Sequence, residues 1–432
     1  MFNFDQLLIL FSGLLLMVVM FSFINEKTIK FPYEIGLVVF GFVFIVLVIM
    51  GQMMNFIQIP QEFLNLYREF DFSDFLFRGV LCFMLFSGAS RIEFGDFSKD
   101  KYLIGSMAII ATLVSAAIYG LLFWGFGALI HVNISLLQAG ILGAIVAPTD
   151  PISAMSILAK AGLSKRLTLI IEGEALFNDG VAVAVFATLL SALKQSTANV
   201  SVLSFTWGLT TEIFGAVLVG FILSFIFFEI FKHSEDKYIQ IFSSLLTVML
   251  AYLICEFLGF SGPIAAVICG LYYATGIAKL KRIRSEQMSQ EVRRLFYSFW
   301  SVVDNLLNGL LFLLVGLLFL DIQNFNTLSG LTIVIVAIGA IAANTIARMG
   351  GVYVSLLFNR DPPIGLKNHK FNVFLTWAGL KGGLCLALVM GTSAFFPQHV
   401  YNVFLVSTYA IVIFTTVFQG LSVGKAYIRL NK

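Results

Sequence analysis

Charge is what this chain has least of. Only 12% of its 432 residues are Asp, Glu, Lys or Arg, while 59% are hydrophobic and the mean hydropathy is +0.95. A soluble domain carries roughly twice that share of charge, so the composition excludes one and leaves a polytopic helical membrane protein. Cysteine is scarce as well. The four residues Cys82, Cys255, Cys269 and Cys385 stand singly in apolar segments, without the spacing of a disulfide framework or a metal site, and read as packing residues. The four histidines, His131, His233, His369 and His399, all fall in expected loops, which argues against a histidine proton relay inside a membrane. No basic stretch precedes the first apolar run, so that run is expected to stay as a membrane helix rather than be cleaved as a signal.

What remains is a series of apolar runs. A bilayer span needs about 20 mostly apolar residues, and on that criterion thirteen segments stand out, at 7–24, 32–51, 75–90, 102–130, 136–158, 167–193, 206–231, 239–258, 262–278, 296–320, 328–358, 371–395 and 400–422. The expected fold class is therefore all-α and polytopic, with about thirteen transmembrane helices. The loops between them alternate in basic content. One set holds Lys27 and Lys30; Arg91, Lys99 and Lys101; Lys160, Lys165 and Arg166; Lys232 and Lys237; a run from Lys279 to Arg294; and Arg360, Lys367 and Lys370. Basic loops stay on the cytoplasmic side, which puts the N-terminus outside and the C-terminus in the cytoplasm. Loop 52–74 on the outer side carries Glu62, Glu69, Asp71 and Asp74 and reads as a solvated loop.

Three stretches break the apolar pattern. Ala147-Pro148-Thr149-Asp150-Pro151 places an acid between two prolines. Glu172-Gly173-Glu174-Ala175-Leu176-Phe177-Asn178-Asp179-Gly180 places three acids in the next span, and Trp377-Ala378-Gly379-Leu380-Lys381-Gly382-Gly383 sets a lysine against a glycine pair. A carboxylate at a helix centre costs about 2.5–3.5 kcal/mol on insertion scales, so such residues mark an ion or proton pathway. At the helical rise per residue, Asp150 lies roughly 21 Å into segment five, Asp179 roughly 18 Å into segment six and Lys381 roughly 15 Å into segment twelve. In a core ~30 Å thick all three come near the midplane. Prolines and paired glycines interrupt helices there, and interrupted helices in corresponding places of two halves point to an inverted repeat with a midplane site. Glu174 and Asn178 share a helix face at i,i+4, while Glu172 reads as a wetted acid near the helix end. Arg348, deep in segment eleven, does not deprotonate and needs an acidic or carbonyl partner. Asp304 is either such a partner or a capping residue.

Together these residues resemble the monovalent cation:proton antiporter-1 family, the bacterial and animal sodium/proton exchangers. Thr149-Asp150-Pro151, Gly173 to Gly180, Arg348 and Trp377 to Leu384 match that family in order and spacing, and the similarity spans nearly the whole chain. The resemblance implies the inverted-repeat sodium/proton antiporter fold, with broken helices crossing at the midplane. It divides the chain into scaffold and dimer helices over 1–98 and 199–325, transport-core halves over 99–198 and 326–424, and a short tail over 425–432. It also implies that Asp179 binds the cation or proton, that Thr149, Asn178 and Glu174 help coordinate it, and that Asp150, Pro151, Arg348 and Lys381 support the site. Three positions depart from the family: Ala175 where Ser is frequent, Phe86-Ser87 where Phe-Glu is common, and Lys381 where Arg is usual.

The expected activity is exchange of a monovalent cation for a proton by alternating access. Na⁺ is the first choice, with Li⁺ and K⁺ as alternatives. Burial and a neighbouring cation act on a carboxyl proton in opposite senses, so proton and cation compete for Asp179. Oxygen ligands from Asp179, Thr149, Asn178 and Glu174 suit an alkali cation. A passive channel needs a continuous selectivity lining, and none is evident. A Na⁺-coupled symporter for an organic anion uses the same kind of broken helix and remains an alternative. The acids come without a nucleophile–base or metal-ligand set, which argues against an intramembrane hydrolase. No enzyme activity, bound cofactor or nucleic-acid partner is expected; Na⁺ and H⁺ are the transported ions. A homodimer in a bacterial inner membrane follows from the resemblance. So does electroneutral exchange, from the pair Asn178-Asp179 with an arginine like Arg348.

Overall fold

In hydrocarbon each backbone N–H and C=O must be paired within the protein, which makes helices of the apolar segments. The computed structural model describes residues 4–56, 71–92, 94–150, 152–194, 202–280, 286–317, 328–358 and 368–431. Pro151, the acids Glu62 and Glu69, and the basic residues Arg68, Lys281, Arg282, Arg284, Arg360, Lys367 and Lys432 lie outside the described residues.

The chain runs as α1 (Phe4–Lys27), α2 (Tyr33–Met53), α3 (Phe72–Ser90) and α4 (Phe97–Leu129), then α5 (Leu136–Val146), α6 (Ile152–Lys160) and α7 (Lys165–Lys194). It continues as α8 (Val202–His233), α9 (Lys237–Leu258), α10 (Gly262–Leu280), α11 (Glu286–Leu317), α12 (Gly330–Leu357), α13 (Asn368–Ala378) and α14 (Gly383–Met390), and ends with α15 (Gln398–Leu430). Polar residues mark the starts. Ser135 and Gln138 form a reciprocal cap on α5, Ser329 accepts from Thr332 at α12, and Asp71 accepts from Asp74 at α3. Each satisfies backbone donors that a helix start leaves unpaired. Gly259, at φ 71°, ends α9 in the left-handed conformation that favours glycine.

Every one of the thirteen expected segments coincides with a helix or a pair of helices, but the number of spans differs. Among the described residues, eleven helices are long and apolar enough to cross a bilayer, or twelve if the pair α13 and α14, bent by 60°, is taken as one span. The shortfall lies in segment five. It is split into α5 and α6, of 11 and 9 residues, and neither piece alone has the length to cross.

Two groups of helices pack chiefly within themselves. One joins α1, α2, α3, α8, α9, α10 and α11; the other joins α4, α5, α6, α7, α12, α13, α14 and α15. The first is held by an aromatic cluster in which Phe86, Phe231, Tyr273 and Phe296 stack or meet edge to face, with Trp300 tilted against Phe86. The second depends on small residues. Gly143 of α5 lies against the Ala116 carbonyl of α4, and Gly351 of α12 lies against Ser115 and the Ala111 carbonyl. Close backbone approach of this kind is how membrane helices gain packing without a hydrophobic drive between them. Large apolar side chains on the outer faces of both groups, such as Phe214, Leu218, Phe257 and Ile338, are exposed, as a surface in contact with lipid chains requires. The protein is an integral membrane protein.

The close approach at Gly143 has a measurable consequence. A Cβ there would collide with backbone, which cannot rotate aside, whereas a Cβ at Gly140 would meet only Leu189 Cδ1 at 3.8 Å. Gly143→Ala is expected to cost about 1–3 kcal/mol, the usual toll of overpacking, and Gly140→Ala to be neutral or slightly stabilising. Thermal unfolding of the detergent-purified variants measures the difference.

Candidate ion-binding site

The helix of segment five stops after Val146, and residues 147–150 are not helical. Pro148 has no N–H to donate and its ring crowds the carbonyl one turn back. The helix of segment twelve stops at Ala378 and resumes at Gly383. The two breaks meet. Asp150 N donates to Leu380 O at 2.9 Å, and Lys381 Nζ donates to Ala147 O at 2.8 Å. Lys381 is only 2% exposed, and its side chain is placed by that carbonyl. Gly382 lies directly against the Asp150 carboxylate, with no room for a Cβ.

The second break is held from a third element. Lys381 N donates to Thr415 Oγ1 at 3.0 Å, and Thr416 Oγ1 donates to Lys381 O at 3.1 Å. Both threonines lie in a π-helical turn of α15, Phe414–Gln419, whose wider winding presents consecutive side chains to the same backbone. Hydroxyls of neighbouring helices are how a membrane protein re-pairs backbone freed by a break. Thr415 and Thr416 were not identified from the sequence. Two threonines in an apolar span carry no signal by themselves, and only the position of the break gives them a role.

On α7 the i,i+4 pair does face one way, but the two residues take different partners. Asn178 Nδ2 donates to Thr149 Oγ1 at 2.6 Å, and its Oδ1 is buried without a partner among the described residues. Glu174 accepts from Arg348 Nη1 at 2.5 Å, with both side chains almost fully buried. The partner of the deep arginine is therefore Glu174. Asp304 instead pairs with Arg91 at 2.8 Å. Ser87, at the position where the family commonly has Glu, donates to the Trp300 carbonyl within α11. Gly379 leaves space for the Arg348 guanidinium, where a Cβ would overlap Nε.

Asp179, one residue further round α7, points elsewhere. With Thr149, Asp150, Ala175 and Gly382 it lines a cavity of about 200 Å³ that also reaches Glu172, Arg91 and Asp304. Of the eight residues expected to bind the ion or support the site, Thr149, Asp150 and Asp179 line this cavity. Asn178, Glu174, Arg348 and Lys381 lie behind that lining, tied to it by the contacts above. Pro151 lies outside the described residues. The arrangement offers carboxylate and hydroxyl oxygens around a space large enough for several waters, and such oxygens suit a hard monovalent cation. Among the described residues no group of three or more His, Cys, Asp and Glu has the geometry of a metal centre.

The transmembrane profile of the sodium/hydrogen exchangers matches residues 13–427. The chain belongs to the sodium/hydrogen exchanger family. Among curated exchangers it is similar to the Na(+)/H(+) antiporter NhaP of Pseudomonas aeruginosa, 29% identical over 422 residues, covering 96% of this chain and 95% of that one. It is also similar to the Na(+)/H(+) antiporter NhaH of Halobacillus aidingensis, 27% identical over 400 residues, covering 92% of this chain and 91% of that one. The fold matches the structure of the sodium proton antiporter MjNhaP1 from Methanocaldococcus jannaschii, with a TM-score of 0.75 at 19% identity over 99% of both chains. This is the antiporter fold that the family resemblance implies.

In this exchanger the buried Glu174–Arg348 pair gives a stability test. Removing one partner strands a charge, at a cost of about 3–5 kcal/mol, whereas removing both leaves none to strand. Glu174→Gln alone is expected to lower the thermal midpoint markedly, and Glu174→Gln with Arg348→Gln to recover much of the loss. Thermal unfolding of the two purified variants beside wild type reads both effects.

Proposed function

We propose that this exchanger is a secondary active antiporter that moves Na⁺ against H⁺, with Li⁺ and K⁺ as alternative cations. The observation that carries the reading is the position of Asp179, a carboxylate on the cavity wall beside two helix breaks that meet at Asp150 and Lys381. The names of the relatives support the same activity. Asp179 takes either a proton or a cation, Thr149 and water complete the cation's shell, and the Asn178 amide positions the Thr149 hydroxyl. Glu174 is assigned to Arg348 rather than to the cation, because its carboxylate is already engaged. Asp150, Pro151 and Lys381 hold the crossing.

The charge count favours one cation for one proton. At the crossing and the adjoining face of α7, Asp150, Glu174 and Asp179 stand with Lys381 and Arg348, while Arg91 offsets Asp304 and Glu172 lies toward the solvent end, so the fully ionised crossing carries one surplus negative charge. A single proton or a single monovalent cation cancels it. A charged empty site is costly to carry through a low-dielectric barrier, while the loaded neutral site is not. Movement is therefore restricted to loaded states, which is the condition for coupled exchange. In this reading 99–198 and 326–424 form the moving core, while 1–98 and 199–325 form the scaffold and the contacts of a homodimer. The basic loops and the end of α15, with Lys425 and Arg429, face the cytoplasm of a bacterial plasma membrane, and the protein serves pH and sodium homeostasis.

Asp179→Asn is expected to abolish Na⁺-driven proton flux in proteoliposomes while leaving the thermal midpoint near that of wild type. The amide cannot alternate between holding a proton and balancing a cation. Undiminished flux would remove Asp179 from the mechanism.

Stoichiometry is read separately. Each net charge moved per cycle adds ~2.3 kcal/mol per 100 mV of membrane potential. With valinomycin setting K⁺ diffusion potentials and Na⁺ as the test ion, the reversal point is expected to follow the Na⁺ and H⁺ gradients alone. A shift with voltage would mean unequal exchange.

A further inference from the structure

Arg91 stands at an odd place for a cation pathway. Among the described residues lining the cavity it is the only basic one, set against Asp150, Glu172, Asp179 and Asp304. It caps the end of α3 with its side chain 47% exposed, while Asp304 is 13% exposed. Arg91 Nη2 donates to Asp304 Oδ2 at 2.8 Å, and Asp304 Oδ1 accepts from Asn308 Nδ2 at 3.1 Å. Asp304 is thereby fixed from both sides. Glu172 reaches the same cavity from α7, which belongs to the other helix group, and lies within electrostatic range of the guanidinium. The guanidinium keeps its charge at any working pH.

A fixed charge in a narrow cleft changes the local concentration of mobile ions. With Arg91 in place, Asp304 is neutralised and Glu172 is partly offset. Without it, two unneutralised carboxylates would gather cations at the solvent end of the cavity. We propose that Arg91 sets the apparent affinity for the transported cation from this one side of the protein, by opposing cation accumulation at the cavity mouth. The inference rests on the exchange reading. It differs from a merely structural clip between α3 and α11 in the sign of its consequences. Breaking a clip from either end has the same effect, whereas removing the positive or the negative member of a charge pair acts on a passing cation in opposite directions.

The test measures Na⁺-dependent proton flux in everted and right-side-out vesicles made with the full chain. In one orientation only, Arg91→Gln is expected to lower the apparent KM for Na⁺ about threefold at low ionic strength. Asp304→Asn is expected to raise it by a similar factor in that orientation, and Arg91→Lys, which keeps the charge, to stay near wild type. Raising the ionic strength with choline chloride to about 0.3 M is expected to shrink both shifts through screening. Opposite shifts confined to one orientation support the inference. An unchanged KM, or shifts of the same sign in both variants, overturn it in favour of a clip. Wild-type vesicles without Na⁺-dependent flux would instead remove the exchange reading itself.

Discussion

A broken helix inside a membrane leaves backbone groups with no water to pair them, at several kcal/mol for each group left unsatisfied. Here the two breaks supply one another. The Asp150 amide pairs with the Leu380 carbonyl, and the Lys381 side chain reaches the Ala147 carbonyl. Neither break is complete without the other, so the positions of Thr149 and Asp150 are set by the crossing rather than by their own helix. Thr415 and Thr416 fix the remaining amide and carbonyl of Lys381 from α15. The rest of the site follows from this mutual dependence. Gly382 has to be glycine in order to bring its backbone against Asp150, and the small residues along α4, α5 and α12 let the supporting helices approach closely enough to hold the breaks in place.

The same crossing sorts the charges. Lys381 is nearly fully buried, where an ammonium without partners would be expensive; the Ala147 carbonyl supplies one. Arg348 finds its carboxylate on α7, 174 residues away in sequence. With Ser87 turned to a backbone carbonyl of α11, α3 brings no acid to the arginine. The Glu174–Arg348 pair joins α7 to α12, within a single helix group. Motion of that group against the other would carry the pair along intact.

Much of this was legible in the sequence, because the signals were local. Hydropathy located the helices, prolines and paired glycines located the breaks, and acids in apolar runs located Asp150 and Asp179. The pairing of charges was not legible. Asp304 sat in an apolar helix with two plausible roles, and its partner Arg91, 213 residues away, read only as part of a basic loop. Glu174 and Asn178 share a helix face, but a shared face does not decide which neighbouring helix each residue meets: Glu174 accepts from Arg348 and Asn178 donates to Thr149. The number of helices long enough to span differs from thirteen for a related reason. Residues 136–158 have the composition of one span, but the break that makes them functional also divides them into pieces too short to cross alone.

Ala175 bears on the kind of site that results. One turn before Asp179 on α7, it lines the cavity with a methyl group where a serine would offer a hydroxyl. The Thr149 hydroxyl already accepts a hydrogen bond from Asn178, which leaves it a weaker ligand than a free one. The strong oxygen donors facing the cavity are then carboxylates and water, and the cavity has room for several waters. A cation approaching Asp179 in the proposed exchange therefore keeps part of its hydration shell. Binding rests mainly on charge rather than on a closed cage of fitted ligands, and charge is the property that a proton and an alkali cation share. A wet site built around one carboxylate distinguishes poorly between cations of different radius, but it makes proton and cation mutually exclusive, and that exclusivity is what coupling requires.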